Sequence, residues 1–453
     1  MSDPEIVVVG AGAAGLAAAA VLRLAGRSVL VLEAGPSIGG RARTVRPPAL
    51  GRAAIDEGAT WLHEVGRNPL VDLARASGRT LLPAHQGDRR LLVGAHAATD
   101  AEEEAYGEAD AAWHRAAIAL ADGPDRPLAQ DHIDLPPHQA AWLANVEAWD
   151  GSIIAAVDAD RLSLHDWRRN LLGEDDLLPE DGVGCLLAEL VGPHAGPVQC
   201  DTPVLAIDWQ SGDGMTVTTA RGAIRARGCI VTVSTGVLRH EQIRFTPQLP
   251  AETLAALDGL PMGLLSKLAL PLADPELPFL DLEPGTLLEQ RLERPGDPLM
   301  LLTVQPDAAP YVSGFFGGDF AWSFVGREEQ ALDEARARLA GCLGTAALDA
   351  LGPGGFVSHW GSDPLFRGGY SYARPGHAGA RAVLGQPLGG GRLVLAGEAC
   401  RTDGLAGTVG GAMLDGERAA GVMLAWLGDR GPARTPWQVF PGDNGFPPTP
   451  VRV

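Results

Sequence analysis

Residues Ile6-Val7-Val8-Val9-Gly10-Ala11-Gly12-Ala13-Ala14-Gly15 join an apolar run to a glycine triplet, and a second apolar run, Val29-Leu30-Val31-Leu32, ends in Glu33 and Ala34. The pattern predicts a strand, a glycine turn, a helix and a second strand that ends in an acid. Gly10 lets the chain turn tightly off the strand. Gly12 lacks a Cβ, so backbone can approach a pyrophosphate. Gly15 lets the helix pack close to the strand. The helix start, through Ala14, offers free N–H groups and the positive end of a dipole to an anion. Glu33 is placed to accept hydrogen bonds from ribose hydroxyls. Together these features predict a dinucleotide site. A glycine turn in an α/β protein that binds no nucleotide is the alternative.

Composition narrows the class. At 453 residues two or three domains are expected, and 46% hydrophobic content supplies a sizeable core. A formal net charge of −20 argues against nucleic acid as a partner. Lysine is scarce, so arginine carries the basic side. Five scattered cysteines form no CxxC and no metal-ligand spacing, which suits reduced thiols in a cytoplasm and predicts no metal. The first strand begins at Ile6, which leaves no room for a signal peptide. The longest apolar stretch, Ala13 to Leu22, is too short to span a bilayer, so no membrane partner is expected.

Periodicity divides the chain. The nucleotide unit takes roughly residues 1–85. Apolar spacing of three and four predicts a helical stretch over 86–190, with Trp113, Trp142, Trp149 and Trp167 along it. Strand patterns at Val204–Trp209, Met215–Thr219 and Cys229–Val233 predict a three-stranded meander within 191–262. Residues 263–375 mix short strands with a helix over Glu328–Leu343. Residues 376–430 return to a strand-to-glycine unit ending at Glu398, followed by a helix over Gly410–Leu427. The Pro- and Gly-rich residues 431–453 are expected to run over the surface.

Gly39-Gly40-Arg41-Ala42-Arg43-Thr44 follows the acid directly. Two glycines and two arginines there form a second anion-binding turn, and Arg41 can neutralise a phosphate. Solvated surface charges are the alternative reading. Further motifs come in order: Asp56-Glu57-Gly58-Ala59-Thr60-Trp61-Leu62-His63, Ile230 to Leu238, the Lys267 segment, Trp360-Gly361-Ser362-Asp363-Pro364, Leu395-Ala396-Gly397-Glu398 and Gly407-Thr408-Val409-Gly410-Gly411-Ala412. With these motifs the chain resembles the flavin-dependent amine oxidase family over nearly its whole length, and within it the polyamine oxidase and histone demethylase-like branch.

The resemblance implies an α/β fold: a Rossmann-like FAD-binding domain of discontinuous segments, with an inserted α+β substrate domain of a mixed sheet flanked by helices. It implies that FAD is held by Gly10, Gly12, Ala14, Gly15, Glu33, Ala34, Gly40, Arg41, Gly58, Ala59, Thr60, Trp61, Val204, Trp360, Gly397, Glu398, Thr408 and Val409. Phe366 to Tyr372 contains no cysteine where monoamine oxidases carry their flavin-linked one, so FAD is expected to be non-covalent.

Lys267 lies in Gly263-Leu264-Leu265-Ser266-Lys267-Leu268-Ala269-Leu270, whose alternation predicts a strand with the lysine turned away from its apolar neighbours. Position alone fits a solvent-facing lysine equally well. The resemblance implies that it holds a water against flavin N5, where a cation would stabilise negative charge as electrons pass to oxygen. Tyr370 is expected as one aromatic wall of the substrate site and Thr408 as the position opposite; Tyr370 and Tyr372 as core or hinge aromatics is the alternative. His63 and Glu64 match a substrate tunnel, although a loop histidine is often surface decoration. The expected chemistry is oxidation of a C–N bond in a cationic, polyamine-like amine, with O2 as acceptor and hydrogen peroxide as product. Three alternatives remain. An L-amino-acid oxidase would clamp a carboxylate with Arg161, Arg367 or Arg374. A flavin-dependent desaturase shares the N-terminal motifs. A non-catalytic flavoprotein would bind partners only.

Overall fold

The computed structural model describes residues 3–84, 87–129, 134–173, 175–210, 214–274, 276–429, 435 and 437. Its first sheet is parallel, with strand order Leu393–Leu395, Gly228–Val231, Ile6–Val9, Val29–Leu32, Val198–Gln199. These strands are apolar on both faces because both faces are covered. Ile6, Val8 and Val31 pack under the helices Ala13–Leu24 and Val409–Trp426. Val7, Val9 and Leu32 pack on the opposite side with Ile207, Trp209, Met215 and Val217. The sheet therefore gathers strands from both ends of the chain and its middle, as expected of a Rossmann-like domain of discontinuous segments.

Close backbone approach explains the small residues of the two covering helices. A Cβ on Gly15 would overlap the carbonyl oxygen of Gly10, and one on Gly416 would overlap that of Ala14. The alanine-rich Ala13–Leu24 helix thus seats against both its own strand and the closing helix. The Val183–Leu190 helix packs into the same core through Val183, Leu186 and Leu187.

The second sheet corrects the expected meander. Its strands run Gly222–Ala226, Met215–Thr219, Val204–Asp208 and Arg244–Thr246. The third meander strand is Gly222–Ala226, and Cys229–Val231 belongs to the parallel sheet instead. Burial decides this. Gly228–Val231 is fully buried, which suits a strand covered on both faces, whereas Gly222–Ala226 is mostly exposed and too polar to announce itself.

The third sheet is mixed, with order Phe356–Val357, Leu265–Pro271, Tyr311–Gly317, Met300–Val304, Leu287–Gln290, Arg89–Val93, His96–Ala97. All its pairings are antiparallel except Leu287–Gln290 with Arg89–Val93. Against it lies the helix Asp100–Leu120, started by a capping box in which the Thr99 side chain and Glu102 exchange hydrogen bonds with each other's backbone N–H. The face of that helix carrying Ala105, Tyr106, Ala109, Trp113 and Ala117 is buried with Trp142 and Trp167. Among the described residues no helix is long and apolar enough to cross a membrane.

Most of 431–453 lies outside the described residues, but Trp437 does not run over the surface. It is buried in the core of the first sheet, and its Nε1 donates to Glu417 at 2.7 Å.

Candidate active site

One continuous cavity of about 2020 Å³ runs from the glycine turn to the mixed sheet and on to the Asp100–Leu120 helix. At one end Gly10, Gly12, Ala14, Glu33, Ala34, Gly40, Arg41 and Val204 line it. Gly12 is the N-cap of the Ala13–Leu24 helix, and no side chain caps that end. A Cβ on Gly12 would meet no protein atom closer than 3.9 Å, so its absence leaves room for whatever enters the cavity. Glu33 holds the turn: its Oε2 accepts the Ala11 amide at 2.7 Å and its Oε1 the Gly35 amide at 2.8 Å. Each oxygen has capacity for a further donor.

The second anion-binding turn meets the far end of the chain here. Arg41 Nη1 donates to Gly369 O at 2.8 Å and to Glu398 Oε1 at 3.0 Å. Among the described residues its Nε and Nη2 have no protein acceptor, and they remain for an anion. Glu398 is buried and also accepts the Ser371 amide at 3.1 Å and the Ser371 hydroxyl at 2.7 Å. Uncapped amides, a cleared glycine, an acid at the second strand end and an arginine with spare donors are a donor set that fits a dinucleotide pyrophosphate and ribose.

At the other end sits Lys267, the single lysine of the chain. It is buried on the Leu265–Pro271 strand, not solvent-facing. Its ammonium donates to Asp56 O at 2.9 Å, to Gly58 O at 2.5 Å and to the Thr60 hydroxyl. Burial pushes its pKa down to about 8, against the raising influence of Asp56 and Glu57. Trp61 and Phe315 flank it, with ring centroids 5.4 and 5.3 Å from Nζ. Phe315 is its direct partner across the strand pair.

Tyr370 also lines the cavity, and its hydroxyl donates to Ile154 O at 2.7 Å. Burial pushes its phenol far above the usual range. Thr408 caps the Val409–Trp426 helix by accepting the Gly411 amide at 2.9 Å, which leaves that helix start, with Val409, on the cavity wall. Gly58, Ala59, Thr60, Trp61, Trp360 and Gly397 complete this middle section. Trp360 is fixed by a hydrogen bond from its Nε1 to Glu57 O at 2.9 Å, and the Arg43 guanidinium stacks 4.7 Å over its ring. His63 lines the cavity too, with Nδ1 2.9 Å from Asp176 Oδ1.

Two expected residues stand elsewhere. Gly15 does not reach the cavity and acts by letting helix and strand approach. Glu64 is turned away from it: it adopts a left-handed backbone (φ 54°) and its carboxylate accepts the Gly173 amide at 2.6 Å. Arg161, Arg367 and Arg374 do not line the cavity either. The arginines that do are Arg41, Arg89 and Arg381, and each pairs with a carboxylate: Glu398, Glu289 and Asp166 respectively.

Sequence reasoning missed the far arm. Glu103, Tyr106, Gly107, Asp110 and His114 line it from one helix face, opposite Trp149, Asp150 and Trp167. His114 bridges two acids, with Nδ1 3.3 Å from Asp110 and Nε2 3.3 Å from Asp150. Those two carboxylates raise its pKa to about 10, Asp110 foremost. The three groups are close enough to hold a metal ion, but each imidazole nitrogen already faces its own carboxylate. The spacing of 103, 106, 107, 110 and 114 was a helix-face signal, but nothing in the sequence said what that face looks onto. Phe315 had no signal beyond its place in an apolar strand.

Comparison with known proteins places the chain. The family described as "Flavin containing amine oxidoreductase" matches residues 13–424. Polyamine oxidase 4 of Oryza sativa subsp. japonica is 28% identical over 92% of this chain and 88% of its own length. Lysine-specific histone demethylase 1 homolog 2 of Arabidopsis thaliana is 28% identical over 93% of this chain, which spans 59% of that protein. Among solved structures, cyclohexylamine oxidase from Brevibacterium oxydans IH-35A superposes with a TM-score of 0.72 at 22% identity, covering 94% of this chain and all of its own. A putrescine oxidase variant gives a TM-score of 0.72 at 20% identity, over 93% of this chain and 99% of its own.

Proposed function

The chain belongs to the flavin-containing amine oxidoreductase family and is an FAD-dependent oxidoreductase acting on amines; from that premise we propose that its substrate is a cationic amine of the polyamine type, oxidised at a C–N bond with O2 as acceptor. The observation that carries this reading is the single cavity that joins the dinucleotide turn to buried Lys267 and Tyr370 and then to an arm bearing Glu103, Asp110 and Asp150. Three carboxylates against the His114 imidazolium leave that arm with excess negative charge, which favours cations. Among the described residues the lining arginines are Arg41, at the dinucleotide end, and Arg89 and Arg381, each paired to a carboxylate, which disfavours the L-amino-acid oxidase alternative.

When bound, FAD would supply the two-electron oxidation of the neutral amine at its α-carbon, and hydrolysis of the released imine would give a carbonyl compound and an amine. The protein orients and sets the field. Glycine-turn amides, Glu33 and Arg41 hold the adenosine and phosphate portion. The helix start at Thr408 and Val409 would favour negative charge on the reduced flavin ring. Lys267 holds a positive charge where oxygen takes up electrons and peroxide forms. Tyr370, Trp61 and Phe315 exclude water around the reacting carbon, and His63 offers a polar contact along the tunnel. The missing cysteine in 366–372 supports non-covalent binding of FAD.

The test is peroxide release by purified protein against polyamines, monoamines and amino acids. Turnover of polyamines is expected; inert polyamines beside rapid amino-acid turnover would reverse the substrate assignment.

A further inference from the structure

Arg381 lies on the short helix Ala380–Leu384, is 1% exposed, and belongs to none of the motifs that mark the flavin site. A guanidinium has five N–H donors. Here all five have acceptors: Nε donates to Asp166 Oδ1 at 2.7 Å, Nη2 to Asp166 Oδ2 at 2.8 Å and Ser371 O at 3.1 Å, and Nη1 to Ser371 Oγ at 2.9 Å and Ala399 O at 3.4 Å. Asp166 neutralises the charge through a two-point pair and is itself held by the Ala373 amide at 3.0 Å.

The consequence lies at Ser371. A guanidinium cannot accept, so the Ser371 oxygen accepts from Arg381 and its one hydrogen must point elsewhere. It points to Glu398 Oε2, 2.7 Å away. Glu398 in turn holds Arg41 Nη1. A buried chain of hydrogen bonds of fixed direction therefore runs Asp166–Arg381–Ser371–Glu398–Arg41, from the tryptophan-rich helical region to the dinucleotide end of the cavity. All five residues line that cavity.

We propose that Arg381 is a positioning residue for FAD: by orienting the Ser371 hydroxyl it fixes Glu398, and through Glu398 it fixes the Arg41 guanidinium whose spare donors face the cofactor site. This rests on the flavin assignment and is independent of which amine is oxidised. A purely structural role for Arg381 would rest on its bonds to Asp166, Ser371 O and Ala399 O, which Ser371→Ala leaves intact.

The experiment compares wild type, Ser371→Ala, Arg381→Lys and the double variant. The readouts are the FAD dissociation constant, from flavin fluorescence on dilution, and the melting temperature of the flavin-free protein. Ser371→Ala removes one hydrogen bond from Arg381 and one to Glu398; it is expected to weaken FAD binding about tenfold, with the flavin-free melting temperature lowered by no more than a few degrees. Arg381→Lys should weaken FAD binding at least as much, because an ammonium cannot reproduce the planar fork. The double variant should be no weaker than Arg381→Lys alone. Wild-type FAD affinity in Ser371→Ala, or effects that multiply in the double variant, would overturn the proposal. Should Arg381→Lys not fold, Ser371→Ala alone decides. Wild-type protein that holds no FAD at all would instead remove the flavin assignment, a separate and recognisable outcome.

Discussion

Lys267 and Phe315 face each other across two antiparallel strands, with the ammonium 5.3 Å from the centre of the ring. A cation is thus held in an apolar slot, its three N–H groups directed to Asp56 O, Gly58 O and the Thr60 hydroxyl. If its charge serves the oxygen step, Lys267→Met should slow reoxidation of reduced enzyme by roughly a hundredfold and leave anaerobic reduction by amine nearly unchanged. Stopped-flow measurement of the two half-reactions separates them, and equal losses in both would remove the assigned role.

The same group sets a pH dependence. Burial lowers the Lys267 pKa to about 8, so the charge is present below that pH and absent above it. Reoxidation should therefore slow as pH rises through about 8, and the Lys267→Met variant should show no such step. Because the chain has one lysine, selective ¹⁵N-lysine labelling gives one side-chain signal whose titration can be compared directly with the kinetics.

His114 should make stability depend on pH in the opposite sense to Lys267. Its pKa rises from 6.5 to about 10 on folding, chiefly through Asp110 and then Asp150. The unfolded chain gives up this proton first. The stabilisation is thus complete below about pH 6.5 and is lost as pH climbs towards 10. Lys267, lowered from 10.5 to about 8, adds stability over the range between those values. The two trends overlap, so the informative quantity is the difference between wild type and His114→Gln. Urea unfolding at pH 6 and pH 9.5 should show that difference shrinking at the higher pH; a constant difference would refute the bridge.

Gly15→Ala should destabilise the protein by about 1–3 kcal/mol, because its Cβ would overlap the Gly10 carbonyl and push helix from strand. The loss should appear in the flavin-free protein, by chemical denaturation. Loss of FAD affinity at unchanged stability would show instead that Gly15 acts on the ligand.

Acid precipitation should release all flavin into the supernatant, since 366–372 offers no cysteine to bond it. Flavin retained in the pellet would disprove non-covalent binding.

The nucleotide end was legible in the sequence because its chemistry is local. Gly10, Gly12, Gly15 and Glu33 serve one turn, and their spacing is the geometry. Lys267 stood out by rarity and by strand alternation, although its burial did not show. The strand Gly222–Ala226 hid because an exposed strand carries little apolar pattern, while Cys229–Val231 was read into the wrong sheet because apolarity does not name a partner. Glu64 fitted a motif, but its left-handed backbone sends the carboxylate to Gly173. Phe315, Arg381 and the His114 bridge escaped for a shared reason: each is defined by residues far off in the chain, and one sequence cannot show such proximity.

The pair Arg41–Glu398 joins positions 357 residues apart. During synthesis the glycine turn emerges first, yet its arginine waits for a partner near the other end of the chain. The growing polypeptide thus carries an unfinished anion site through most of translation. Cofactor capture then becomes a late, cooperative event that can seal the sheet as its last strand, Leu393–Leu395, enters beside Gly228–Val231.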